Sequence, residues 1–189
     1  LADKVVHCKQ CDLYKTRTHS VVGEGSLDAD LFFIGEAPGF NEDKQGRPFV
    51  GRAGAILDEL LASIDLKRSD IYIANILKCR PPKNRNPTES EIRACTPFLE
   101  RQLDLINPEV IIPMGSFSTE YIFDKFDLKF TKISELHGKV FTKTTLYNTV
   151  HILPMYHPAV ATYNPNKKNE LLEDIKQVKP FILSQSISH

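Results

Sequence analysis

The sequence predicts a three-layer α/β/α fold around a central, mainly parallel four-stranded sheet. Two observations carry that expectation. Short apolar runs, too brief for helices, recur along the chain and end at glycine, proline or polar residues. Between them lie longer stretches with apolar residues at helical spacing. Strands that alternate with helices pair in parallel and bury both faces of the sheet. A chain of 189 residues suits one such domain over 1–189, with residues 1–25 as an N-terminal segment and about 180–189 as a tail.

Each element has its own signal. Leu31-Phe32-Phe33-Ile34 is a buried strand ending at Gly35. Ala53 to Ile64 carries apolar residues at 56, 57, 60, 61 and 64, which is the spacing of a helix face. Ile71 to Leu77 is apolar and β-branched, hence a strand. Thr88-Glu89-Ser90-Glu91 is a capping box and opens a helix running to about Ile106. Pro108 precedes the strand Val110-Ile111-Ile112, and Ser116 caps a helix to about Phe126. Residues 139–154 read as β structure with a turn near Thr144, and the last helix covers Asn169 to Val178. In parallel sheets ligands sit beyond the carboxyl ends of the strands. The loops after Ile34, Leu77 and Leu153 are therefore expected to converge.

Composition narrows the class. Apolar residues make up 41% and charged residues 25%, as in ordinary globular proteins. No run approaches the roughly 20 apolar residues of a membrane span, and no membrane partner is expected. The first residues lack the pattern of a signal peptide, so the cytoplasm is the expected compartment. Net charge is zero, from 24 basic and 24 acidic side chains, which argues mildly against a nucleic-acid binder. Local charge argues the other way. Residues 76–87 hold Lys78, Arg80, Lys83 and Arg85 and no acid, a patch suited either to phosphates or to plain solvent.

The cysteines are Cys8, Cys11, Cys79 and Cys95. A CxxC unit in a chain expected in the cytoplasm points to metal rather than disulfides. Zinc sites usually combine two close doublets. Here the second pair is open, which suits the larger cubane of an iron–sulfur cluster. Spacing alone leaves zinc, a cluster and four separate thiols all open.

The loop after the first strand is dense in glycine and proline: Gly35-Glu36-Ala37-Pro38-Gly39, then Glu42-Asp43, then Gly46-Arg47-Pro48-Phe49-Val50-Gly51. Its backbone shape is tightly set and allows close approach of a ligand. Glu36 stands where a functional carboxylate would be placed, and Phe49 is a ring available to stack on a planar base or to plug the core. No Gly-Lys-Ser/Thr follows, so it is not a phosphate loop.

These residues, with Ala53-Gly54, resemble the first motif of the family-four uracil-DNA glycosylases. Asn75, Lys78-Cys79-Arg80-Pro81-Pro82 and Asn84-Arg85 resemble that family's strand and basic loop, and His157-Pro158-Ala159 its final motif. The resemblance runs from about Cys8 to Asn164. It implies a monofunctional enzyme that hydrolyses the N-glycosidic bond of uracil in DNA, leaves an abasic site and so initiates base excision repair. It implies one structural [4Fe-4S] cluster on Cys8, Cys11, Cys79 and Cys95 and no catalytic metal. It implies Glu36 and His157 as catalytic residues. Gly35, Ala37, Gly39, Phe49, Asn75 and His157 would hold uracil, and Lys78, Arg80, Lys83, Arg85 and Lys167 would meet DNA. The implied partner is uracil-containing DNA, single- or double-stranded, met by a monomer at a prokaryotic nucleoid, with a sliding clamp as a candidate second partner.

The sequence also departs from the family. An arginine that often follows the His-Pro motif is absent from Ala159-Val160-Ala161-Thr162-Tyr163-Asn164, which leaves Val160 or Tyr163 as the wedge that fills the gap in the duplex. Two rival readings compete with the resemblance. A non-catalytic nucleic-acid module with a cluster or zinc would explain the cysteines and leave Glu36, Asn75 and His157 without a role. A hydrolase of small nucleotides would need phosphate ligands, for which Arg47 and Arg52 are the candidates.

Overall fold

The computed structural model describes residues 1–144 and 148–183. In chain order it contains α1 (Ala2–Val6), β1 (Glu24–Gly25), β2 (Leu31–Gly35), α2 (Phe40–Gln45), α3 (Arg52–Ala62) and β3 (Tyr72–Asn75). There follow α4 (Glu89–Ile106), β4 (Val110–Pro113), α5 (Ser116–Lys125), α6 (Ile133–Leu136), β5 (Phe141–Thr144), β6 (Thr149–Ile152), α7 (Pro165–Ile175) and α8 (Lys179–Leu183).

The sheet has six strands among the described residues, in the order β1-β3-β2-β4-β6-β5, rather than four. Its centre is the expected parallel set, since β3, β2, β4 and β6 all pair in parallel. The additional strands are antiparallel edges, β1 on β3 and β5 on β6. Alternation along the strands sorts the core. Phe32 and Ile34 of β2 pack with Leu99 and Leu103 of α4 and Phe123 of α5 on one face. Leu31 and Phe33 pack with Leu57 and Leu60 of α3 and Leu171 and Ile175 of α7 on the other. Each fully buried leucine here contributes roughly 1.5–3 kcal/mol of transfer free energy.

The capping box is present: Glu91 N–H donates to Thr88 Oγ1 at 3.3 Å, and Thr88 N–H donates to Glu91 at 2.9 Å. Other boundaries move. Gly115, not Ser116, caps α5. α7 begins at Pro165, four residues before the expected Asn169, because Asn164 caps it by accepting from Asn166 N–H at 3.0 Å. Proline at the first helical position sacrifices no intrahelical hydrogen bond. α8 then occupies part of the expected tail, whose residues 184–189 lie outside the described residues, as do 145–147 after Thr144.

Register places the site. Gly35 at the end of β2 pairs with Asn75 at the end of β3, and Met114 bridges to Met155 beyond β4. The carboxyl ends of the parallel strands thus come level, and the three loops converge as expected. No described helix is long and apolar enough to cross a membrane.

Candidate active site

A cleft of about 380 Å³ opens at those strand ends. Glu36, Gly39, Phe49, Asn75, Arg85 and His157 are among the residues that line it. Gly35, at the end of β2, lies behind two of these residues, Asn75 and Phe49. A Cβ there would collide with Asn75 Oδ1 and stand 2.7 Å from the Phe49 ring, so only glycine lets the amide and the ring meet.

Asn75 is 2% exposed, yet its side-chain amide has no hydrogen-bond partner among the described residues. No buried side-chain nitrogen or oxygen lacks a partner among the described residues, so the amide atoms of Asn75 must reach the cleft. The amide faces the cleft with a free donor and a free acceptor.

Glu36 follows β2 directly, half-buried, and its carboxylate also has no partner among the described residues. Burial raises its pKa above the ordinary glutamate value, with no cation to oppose the shift.

His157 caps the turn Pro158–Thr162, accepting at Nδ1 from Ala159 N–H at 3.2 Å. An accepting Nδ1 places the proton of the neutral ring on Nε2. Burial pulls the pKa down to about 4, weakly opposed by Glu42, so the ring is neutral at physiological pH. The ring stacks on Phe49, with centroids 5.6 Å apart and planes 27° from parallel.

Phe49 is 5% exposed and has a left-handed backbone, φ 52°. Two residues that the sequence did not single out for this task hold it there. Arg68 donates to Pro48 O at 3.0 Å and to Phe49 O. Glu42 accepts from Val50 N–H at 2.9 Å, Gly51 N–H at 3.0 Å and Gly39 N–H at 3.1 Å. One carboxylate thereby fixes both sides of the Gly/Pro-rich loop. Glu42→Ala leaves three N–H groups without their acceptor and is expected to cost about 1–3 kcal/mol of stability. Denaturant melts of the variant measure that loss, and an unchanged midpoint refutes the clamp.

The basic candidates divide. Lys78 is turned inward and not presented to a ligand at the surface: it is 1% exposed, and its ammonium donates to Asn75 O at 2.7 Å and Gln102 Oε1 at 2.6 Å. β3 and the residues after it run inside the fold, and sequence gives no sign of which way a lysine on such a segment turns. Lys167 stays partly exposed, paired with Glu170 at 2.8 Å and lying over the Tyr156 ring at 4.2 Å. Arg85 is held by Glu91 through two bonds, of 2.6 and 2.9 Å, and lines the cleft rim. Arg85 also holds the Glu91 carboxyl at about 2. Lys83 is exposed, and Arg80 lies 5.2 Å from the ring of Phe40, itself 60% exposed. Arg47 is bound to Glu24 through two bonds, of 2.6 and 2.8 Å, and is not free for a small phosphate.

The four cysteines line one further cavity, together with Val5, Leu13, Arg17, Lys78 and Phe98. Cys8 and Cys11 come from the N-terminal segment, Cys79 follows β3, and Cys95 sits in α4. None is in a disulfide. Among the described residues no three His, Cys, Asp or Glu side chains are close enough to clasp a single metal ion.

The parallel sheet, with a ligand-sized cleft at its strand ends lined by a carboxylate, an amide and an imidazole, defines an α/β protein with its candidate site where such folds place one. The chain belongs to the uracil-DNA glycosylase superfamily, whose family model matches residues 22–177. It is 47% identical to the type-4 uracil-DNA glycosylase of Archaeoglobus fulgidus, over 93% of this chain and 88% of that protein. It is 46% identical to the type-4 enzyme of Saccharolobus solfataricus, over 100% and 88%. The type-4 enzyme of Sulfurisphaera tokodaii is 44% identical over 97% and 84%.

Proposed function

We propose that this chain is a monofunctional uracil-DNA glycosylase that hydrolyses the N-glycosidic bond of a flipped-out uracil and leaves an abasic site for base excision repair. The observation that carries the reading is the amide of Asn75, a residue 2% exposed whose side-chain nitrogen and oxygen have no partner within the protein among the described residues and open onto the cleft. An amide donates to uracil O4 and accepts from N3–H together, whereas cytosine presents the reverse pattern. A base cannot be reached inside the stack, so it must turn out into the cleft. Phe49 supports its face there, and Gly35 and the backbone of Ala37 to Gly39 close around its edge.

Asn75→Asp tests the reading of the edge. A carboxylate repels uracil O4 but accepts from the cytosine amine. Uracil release is expected to fall about ten- to a hundredfold, the cost of one mispaired buried polar contact, while cytosine gains relative to uracil. Release of both bases from matched oligonucleotides measures the ratio, and an unchanged ratio removes Asn75 from recognition.

Glu36 orients and deprotonates the attacking water and balances the positive charge that develops on the sugar. His157 donates from Nε2 to uracil O2 as the base leaves with negative charge. Around the cleft, Arg80, Lys83 and Arg85 meet backbone phosphates. Tyr163, 80% exposed just beyond the His157 turn, is the wedge; Val160 instead packs against the core.

Cys8, Cys11, Cys79 and Cys95 hold one [4Fe-4S] cluster. The fit rests on four cysteines, from two distant stretches of the chain, that line one cavity. Zinc would need all four at about 2.3 Å from one centre, whereas a cluster offers each sulfur its own iron. When bound, the cluster supplies a tie between the N-terminal segment and the segment from Cys79 to Cys95, and part of the folding energy.

The direct test is an end-labelled oligonucleotide with one uracil, treated with the protein and then alkali. Strand cleavage at the uracil by the parent, and little by a Glu36→Ala, His157→Ala double variant, is expected. No cleavage by an iron-loaded parent would return the chain to a binding module.

A further inference from the structure

We propose that Arg17 and Lys78 are the fixed counter-charges of the cysteine cavity, placed to retain an anionic iron–sulfur cluster and to raise its reduction potential. The inference rests on the cluster assignment above and extends it to residues that ligate nothing.

Arg17 lies in the N-terminal segment, half-buried. Its Nη1 donates to Cys79 Sγ at 3.1 Å and its Nη2 to Val6 O at 2.6 Å. One guanidinium thus bridges α1 to the cysteine after β3. Lys78 approaches from the opposite side of the sequence. Its backbone N–H donates to Cys95 Sγ at 3.2 Å, Lys78 is among the residues that line the same cavity, and its ammonium is buried. Neither cation has a carboxylate partner among the described residues; the acceptors are sulfur, backbone carbonyls and the Gln102 amide. A buried ammonium without an opposite charge is costly. The nearby acids are engaged elsewhere, Glu91 with Arg85 and Asp12 with Lys15.

A cluster on four thiolates carries net negative charge and gains another on reduction. It therefore supplies the anion that both cations lack. Besides Gln10 and Tyr14 the remaining wall is apolar, from Val5, Leu13, Ala94 and Phe98, so charges across the cavity are screened less than in open solvent. Net charge nearby and hydrogen bonds to sulfur both set the potential of such clusters. Removing either cation favours the oxidised, less negative form and lowers the potential. Lys78 also donates to Asn75 O, so one ammonium joins the cavity to the strand that ends in the cleft.

The test compares purified parent, Arg17→Gln, Arg17→Lys, Lys78→Met and the surface control Lys176→Gln, all handled without oxygen. Iron content, decay of visible absorbance under an iron chelator, and the reduction potential from a redox titration followed by electron paramagnetic resonance are recorded. Arg17→Gln is expected to lose its cluster about tenfold faster or more, the effect of one charge-assisted hydrogen bond, and to have a lower potential. Arg17→Lys recovers part of the potential, and Lys78→Met shifts it in the same direction as Arg17→Gln. Equal retention and equal potential in parent and Arg17→Gln overturn the inference while the cluster assignment stands. A parent that binds no iron under reconstitution overturns both. Arg17 is half-buried and packs in neither core layer, so its variants remain informative even where Lys78→Met fails to fold.

Discussion

Replacing Glu36 with glutamine is expected to lower the rate of uracil release about a hundred- to ten-thousandfold, the usual range for a positioned acid–base group. The carboxylate stands free of hydrogen-bond and ion-pair partners among the described residues, at the cleft, where burial lifts its pKa above the ordinary glutamate value. Only the ionised form can take a proton from water or offset a cationic sugar. The parent should therefore lose activity as pH falls through that raised pKa, and Glu36→Gln, isosteric but unable to ionise, should show no such limb. The stability consequence has the opposite sign. Between the ordinary and the raised pKa the folded state binds more protons than the unfolded one, so stability declines as pH rises through that window. At neutral pH the charged, unpaired carboxylate costs stability that the amide does not, and Glu36→Gln should melt higher than the parent while turning over less. Single-turnover rates against pH, with thermal melts at neutral pH, test both. A variant that keeps the acid limb would assign that limb to another group.

Much of this was legible in the chain because its causes are local. The capping box at Thr88 depends on residues three apart, and the β2 and β4 runs are buried on both faces and so read as continuous apolar stretches. The parallel core strands carried their signal for the same reason. The edges did not: β1 is two residues long, and β5 alternates half-exposed and exposed, without a buried residue. Lys78 shows where a charge count misleads. It sits in a basic run, but whether a side chain points to solvent or inward is set by the strand and helix packed around it. Glu42 shows the converse. Its sequence position reads as a helix-start acid, but its function lies eight and nine residues on, at the N–H groups of Val50 and Gly51. Arg17 carried no signal, since a lone arginine among polar neighbours acquires meaning only when Cys79 arrives beside it. The cleft residues were easier to single out, because Glu36 and His157 stand in loops at strand ends and Asn75 closes a strand, where a polar side chain departs from the apolar run before it.

Replacing His157 with alanine should lower kcat about a hundred- to a thousandfold, as expected for one preorganised donor to a developing anion. A neutral imidazole suits this task. Its Nδ1 is occupied by Ala159 N–H, which leaves Nε2–H as the donor. With a pKa of about 4 it does not change charge near neutrality. An acid limb above that value is then assigned to Glu36, whose pKa is raised by burial, rather than to His157. Because the bond to O2 strengthens as the base acquires charge, the loss should fall on kcat more than on KM. The depressed pKa has a measurable stability signature as well. The unfolded histidine titrates near 6.5 and the folded one near 4, so the unfolded state binds the extra proton between those values. The contribution of the neutral ring is complete above pH 6.5 and is lost as pH falls towards 4. Melting temperatures of parent and His157→Ala should therefore draw together on acidification across that window. A variant whose kcat falls less than tenfold would move the leaving-group donor to the backbone N–H of Ala37, and parallel melting curves would mean that the folded ring titrates like the unfolded one.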